Sequence, residues 1–147
     1  MQINHNDYYV STEKAKMDLP LTHTWLSTEA YWCLNIPFTT FLRSVENSLC
    51  FGVYQGDRQV GFARVISDFA TIAYLGDVFI FPEHRGKGLS KLLMKEIMAH
   101  PDLQGMRRWI LLTGDAHELY RQFGWSPIPK PELYMEIANP NVYGLHI

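Results

Sequence analysis

The spacing of hydrophobic and polar positions changes along the chain, and the changes mark its elements. Asp7-Tyr8-Tyr9-Val10-Ser11-Thr12 is rich in aromatic and β-branched residues and predicts an opening strand. Asp18 is placed to cap a helix with Pro20 in its first turn, running to about Ser27. Pro37 opens a second helical stretch, in which Phe38, Phe41, Leu42 and Val45 recur at i, i+3, i+4 and i+7. Three strand-like runs follow. Leu49–Tyr54 and Gln59–Ser67 flank the turn sequence Gln55-Gly56-Asp57-Arg58, and Thr71–Phe81 is β-branched and aromatic almost throughout. Helical spacing returns from about Gly88 to Ala99, with Leu89, Leu92, Leu93 and Ile97 on one face and Pro101 as the stop.

The last third is shorter in its elements. Trp109-Ile110-Leu111-Leu112, within Arg108–Thr113, suits a strand buried on both faces. Asp115 begins a short helix with Glu118 three residues on, like a capping box, and Gly124 falls where a left-handed residue ends a helix. Leu133–Ile137 reads as a final strand. The order β-α-α-β-β-β-α-β-α-β predicts a mixed α/β sheet, with residues 1–147 as a single domain free of repeats and linkers.

Composition narrows the function classes. With 147 residues, 47% of them hydrophobic and 19% charged, the chain can bury a sizeable core. A net charge of -2 offers no general basic surface for nucleic acid or an anionic membrane, so neither is an expected partner. Cys33 and Cys50 match no metal or redox spacing and read as buried, reduced thiols. The histidines show no metal-ligand spacing either, so no metal is expected. The segment Met1–Asp7 is polar and lacks a signal-peptide layout, and no run approaches the ~18 apolar residues of a membrane span. The expected location is cytoplasmic.

The densest chemistry lies in Phe81-Pro82-Glu83-His84-Arg85-Gly86-Lys87-Gly88-Leu89-Ser90, between a strand and a helix. Glycines at 86 and 88 allow positive φ and close approach of a bulky anion to the main chain. The helix start adds free N–H groups and the positive end of its dipole. Lys87 and Lys91 sit where that dipole disfavours cations, by a few tenths of a kcal/mol up to ~1, which a bound polyanion would reverse. The P-loop spacing is absent, and the third glycine of a dinucleotide fingerprint is replaced by Lys91.

Arg85-Gly86-Lys87-Gly88-Leu89-Ser90 resembles the acyl-CoA pyrophosphate loop of the GNAT superfamily of N-acetyltransferases, Gln/Arg-x-x-Gly-x-Gly/Ala, with Ser90 as a small departure. A second segment is similar to the family's Ala-x-x-x-Tyr-x-x-x-Gly-Phe helix: Ala116, Tyr120 and Gly124 are in register and Trp125 replaces Phe. The Asn often found seven residues before that tyrosine is Thr113 here. The resemblance implies a mostly antiparallel central sheet flanked by helices, with acetyl-CoA as co-substrate. It implies pyrophosphate binding by Arg85, Gly86, Lys87, Gly88, Leu89, Ser90 and Lys91, and backbone pairing of Val78, Phe79 and Ile80 with the pantetheine arm. It also implies that Tyr120 is a general acid for the departing thiolate. Read from the helix alone, Tyr120 is equally a core tyrosine on the apolar face of Ala116, Leu119 and Phe123.

The attacking amine must lose a proton, and Asp77, flanked by Leu75, Val78 and Phe79, is the candidate base. A structural carboxylate bonded to backbone N–H groups is the other reading of Asp77. Asp68 and Glu29 are weaker candidates, while His84 and His117 read as solvated. The aromatic residues Trp25, Tyr31, Trp32 and Phe38 fall in a region that walls the acceptor site in GNAT enzymes. Tyr31 and Trp32 are read as pocket residues, Trp25 and Phe38 as packing. The expected reaction is acetyl transfer to a primary amine of a small molecule or peptide, by direct attack in a ternary complex. Neither cysteine falls in the two motifs, which disfavours a thiol intermediate. The resemblance admits a homodimer. The competing readings are a CoA-binding regulatory domain without turnover and an unrelated nucleotide-binding α/β protein.

Overall fold

The computed structural model describes residues 7–144. Its strands are β1 (Tyr8–Ser11), β2 (Leu49–Gln55), β3 (Arg58–Ser67), β4 (Ile72–Ile80) and β5 (Arg108–Ile110). The helices are α1 (Leu19–Glu29), α2 (Phe38–Glu46), α3 (Leu89–Ala99) and α4 (His117–Arg121). The strands form one five-stranded sheet in the order β1-β2-β3-β4-β5. Neighbours are antiparallel from β1 to β4, and β5 alone runs parallel to its neighbour β4. The expected mixed, mostly antiparallel sheet is therefore present. Among the described residues no helix is long and apolar enough to cross a membrane.

Local chemistry sets the helix starts. Asp18 Oδ1 accepts from Leu21 N at 3.1 Å, with Pro20 in the first turn of α1, as the sequence predicts. Gly56 takes φ +58 in the tight β2–β3 turn, which an L side chain adopts only under strain. The sheet buries both faces. Phe51, Val53, Val65 and Leu75 pack with Leu89, Leu93, Met94 and Ile97 of α3 on one side. Cys50, Tyr54, Phe62 and Phe79 pack with Leu26, Phe41 and Val45 of α1 and α2 on the other. Because Leu93 is fully buried, Leu93→Ala is expected to lower stability by about 2–5 kcal/mol, read as a lower midpoint in urea unfolding.

Three expectations need correction. Leu133–Ile137 forms no strand: a 3-10 turn covers Pro131–Leu133, and Met135 and Ile137 are fully exposed at 97% and 102%. A strand-like pattern without an adjoining partner gains neither ladder bonds nor burial. Next, β5 is shorter than Arg108–Thr113 and is not buried on both faces, since it pairs only with β4 and Leu112 is exposed. Finally, α4 is not capped by Asp115: Thr113 Oγ1 accepts from Ala116 N at 3.0 Å just ahead of the helix.

Candidate active site

The site opens where β4 and β5 part. Their pairing covers Ile72↔Arg108, Ala73↔Trp109 and Tyr74↔Ile110, and then stops. Beyond it, β4 carries a bulge: Arg64 pairs with Gly76 and Phe62 with Phe79, so Asp77 and Val78 together face Ala63. Asp77 adopts φ +55 there, a left-handed conformation uncommon for a residue with a side chain. The bulge bends β4 and leaves its edge without a partner strand. A cavity of about 1110 Å³ fills the gap, lined by β4 from Tyr74 to Ile80 and, at other points, by Arg85, Ser90, Leu111, Tyr120 and Tyr143.

At one end of the cavity lies the loop into α3. Gly86 and Gly88 take φ +78 and +79, and a Cβ at either would meet nothing within 4 Å. The main chain therefore presents open space to a large anion. Gly88 is the residue before α3, no side chain caps that helix, and no acidic residue occupies its first turn. The first N–H groups of α3 are left for a ligand, so the chain fits the pyrophosphate of a coenzyme A group. Arg85 folds back, its Nε donating to Ile80 O at 2.9 Å, and so braces the loop against the end of β4.

The predicted coenzyme residues fall into distinct places. Val78, Phe79, Ile80, Arg85 and Ser90 line the cavity. The Phe79 side chain turns into the core and stacks on Trp25, with centroids 4.2 Å apart and planes at 14°. Leu89, the first residue of α3, is buried in the core, so only its main chain can serve a ligand. Lys91 is exposed and outside the cavity lining, and Lys87 also stands outside it, its Nζ 3.3 Å from Tyr8 Oη.

Tyr120 reaches the cavity from α4. It is 8% exposed, and its hydroxyl makes no hydrogen bond with the described residues. Burial, and then the charge of Asp115, push its pKa above the ordinary tyrosine value. The fold thus supplies a protonated, unengaged phenol facing an internal space.

The opposite wall comes from the α1–α2 connection. Asp77 Oδ2 accepts from Arg64 Nε at 2.8 Å, while Oδ1 accepts from Trp32 Nε1 at 2.8 Å. Arg64 also donates to Ser48 Oγ at 3.0 Å, tying the bulge to the end of α2. Trp32 meets Tyr31 edge to face at 5.0 Å, and both are substantially exposed. Tyr31 Oη lies 3.6 Å from where a Cβ on Gly114 would stand, so it spans towards the β5–α4 loop. Trp25 combines packing with a place in the lining, whereas Phe38 packs edge-on against His23 and is not part of the cavity.

The other sequence candidates separate cleanly. Asp68 accepts from Thr71 Oγ1 and from the N–H groups of Ala70, Thr71 and Ile72, which hold its pKa below the carboxylate range. It locks the β3–β4 turn and is no part of the cavity. Glu29 lines the cavity but is exposed. His117 is exposed, as read, but His84 is not simply solvated: its Nδ1 lies 2.8 Å from Tyr8 Oη. Burial first, then the charge of Asp77, push the Cys33 thiol up to about 12, and burial takes Cys50 to about 11. Among the described residues no three His, Cys, Asp or Glu side chains gather into a metal-binding group. Sequence reasoning missed Arg64, Tyr74 and Tyr143. Arg64 carried no motif, and Tyr143 lies in a segment with no periodic signal.

Known proteins resemble this chain in sequence and fold. The profile of the acetyltransferase (GNAT) domain family matches residues 46–127, from the end of α2 through the tyrosine helix. A Gibberella zeae protein named as a candidate acetyltransferase is 31% identical over 136 residues, spanning 78% of this chain and 76% of that one. The crystal structure of a candidate GNAT acetyltransferase from Xanthomonas campestris pv. campestris is 50% identical, covers 97% of this chain and 99% of its own, and superposes with a TM-score of 0.92. The crystal structure of a candidate acetyltransferase from Clostridium acetobutylicum with acetyl-CoA has the same fold at 12% identity, with 94% and 96% coverage and a TM-score of 0.65. With the family profile matching more than half of its length and a relative 31% identical over 78% of it, the chain belongs to the GNAT family of acetyltransferases.

Proposed function

We propose that the protein transfers an acetyl group from acetyl-CoA to a primary amine by direct attack, both substrates being held in the one cavity. The observation that carries this reading is the continuity of that cavity, which joins Ser90 at the start of α3 to Tyr120 and to the aromatic wall at Tyr31 and Trp32. Arg85 to Lys91 hold the pyrophosphate, chiefly through main-chain N–H groups. Val78, Phe79 and Ile80 offer the unpaired edge of β4 to the extended pantetheine arm, as a sheet edge receives an added strand. Acetyl-CoA brings a thioester whose carbonyl accepts an amine and whose sulfur leaves as a thiolate. Tyr120 holds the proton that the sulfur receives, and Tyr31 and Trp32 wall the acceptor. Cys33 lines the cavity, but with its thiol pushed up to about 12 it is protonated at neutral pH, which disfavours a thiol-borne intermediate.

Asp77 is placed to act in either of two ways. Its carboxylate can receive the amine proton on a lone pair left free by Arg64 and Trp32. Alternatively, it serves through those two bonds, holding Trp32 against the bulge. Asp77→Asn keeps an oxygen that can accept from Trp32 but removes the charge. As a base, its loss is expected to cut kcat by about 10²-fold. As a positioning group, its loss raises the amine KM and leaves kcat near wild type.

The reaction itself is tested by incubating the protein with acetyl-CoA and a panel of amines, peptides and amino sugars, following free thiol. Amine-dependent release above the hydrolytic background is expected. Background rates across the panel, together with measurable CoA binding, would favour a regulatory CoA-binding domain instead.

A further inference from the structure

Tyr8 stands on β1, outside the cavity lining, yet its hydroxyl ends at the pyrophosphate loop. The residue is 1% exposed. Its Oη lies 2.8 Å from His84 Nδ1 and 3.3 Å from Lys87 Nζ, contacts that close over 76 and 79 residues of chain. The rings of Tyr8 and His84 meet edge to face at 5.8 Å, and Lys87 Nζ is 5.7 Å from the Tyr8 ring centre. The two contacts bracket Gly86, the first positive-φ residue of the loop.

The proton inventory orients this cluster. A lysine ammonium can only donate, so the Tyr8 oxygen accepts from Lys87. The buried phenol still has its own proton, and His84 Nδ1 is the acceptor in reach. The bonds therefore run from Lys87 to Tyr8 to His84, with Nδ1 unprotonated. Among the described residues, every other hydrogen bond the loop makes through residues 84–87 is local: His84 N to Phe81 O, Arg85 N to Pro82 O and Arg85 Nε to Ile80 O. Among the described residues, Tyr8 is the partner that ties this turn to a different strand.

We infer that Tyr8 is a positioning residue for coenzyme binding, its hydroxyl joining His84 and Lys87 so that the glycine turn is held in its anion-receiving shape before the ligand arrives. A turn built around two glycines has much conformational freedom to lose, and whatever is ordered in advance is not charged against binding. The same contact holds the Lys87 ammonium beside the start of α3, where it would otherwise be disfavoured without an anion. This inference rests on the reading of the loop as the CoA pyrophosphate cradle.

Titration of CoA into Tyr8→Phe, which keeps the ring and loses only the hydroxyl, tests it alongside acetyl-transfer kinetics. CoA affinity and acetyl-CoA KM are expected to weaken by about tenfold, the equivalent of roughly 1.4 kcal/mol, with kcat at saturation within about twofold of wild type. His84→Ala should show the same split. The double variant should be no weaker than the worse single one, because both substitutions break one relay. His84→Asn, with an oxygen near the place of Nδ1, should recover most of the affinity. Wild-type affinity in Tyr8→Phe, additive losses in the double variant, or a fall confined to kcat would overturn the proposal. Should Tyr8→Phe not fold, His84→Ala and His84→Asn decide by the same criterion. Absence of CoA binding by the wild-type protein would instead overturn the cradle assignment on which the inference stands.

Discussion

Tyr120→Phe is expected to lower kcat by about 10²-fold or more while leaving CoA affinity near wild type. The substitution removes one oxygen. Because that hydroxyl makes no hydrogen bond with the described residues, its loss breaks no internal network, and the ring still fills its place against Trp125 at 6.0 Å. What is lost is the proton held for the sulfur. Burial and the charge of Asp115 raise the Tyr120 pKa, so the phenol remains protonated through neutral pH and above. A general acid works while it holds its proton. The wild-type rate should therefore fall only as pH climbs beyond the ordinary tyrosine value of ~10, and that alkaline limb should vanish in Tyr120→Phe. Unchanged turnover would remove Tyr120 from the acid role and return it to the core.

Gly88→Glu should abolish saturable CoA binding, with the fold retained. Position 88 has φ +79, so any L side chain there is strained, by roughly 1–2 kcal/mol. A Cβ would nevertheless meet nothing within 4 Å, which means the free protein has room for the new side chain. The space it enters is the space the pyrophosphate needs, and its carboxylate would face a polyanion at the head of α3. Circular dichroism should report a folded protein and calorimetry a flat CoA titration. Tight residual binding would contradict the loop assignment.

The geometry of the candidate coenzyme loop was legible in the sequence because of where it resides. Gly86 and Gly88 act through backbone conformation, which residue type dictates locally, and Tyr120 sits in a helix whose spacing is periodic. The hairpin at Gly56 and the cap at Asp18 were legible for the same reason. Other parts depend on contacts between distant segments. Arg64 meets Asp77 only because β3 lies beside a bulged β4, and nothing around Arg64 announces that pairing. Tyr8 and His84 are separated by most of the chain. Leu133–Ile137 has the composition of a strand, yet a strand also needs a partner edge, and composition is silent about that. Thr113, a departure from the family pattern, uses its hydroxyl to accept from Ala116 N, a contact the pattern does not announce. Tyr31 and Trp32, read from sequence as pocket residues, line the cavity, but the tie from Trp32 to Asp77 emerged only in three dimensions.

The most direct test of the central claim is to supply acetyl-CoA isotopically labelled in its acetyl group, together with the most reactive amine of the panel, and to follow the label by mass spectrometry. Label is expected to appear in the amide of the amine, in step with free thiol, with Tyr120→Phe slowing both together. Label that stays on CoA in the presence of bound coenzyme and every amine tried would contradict it.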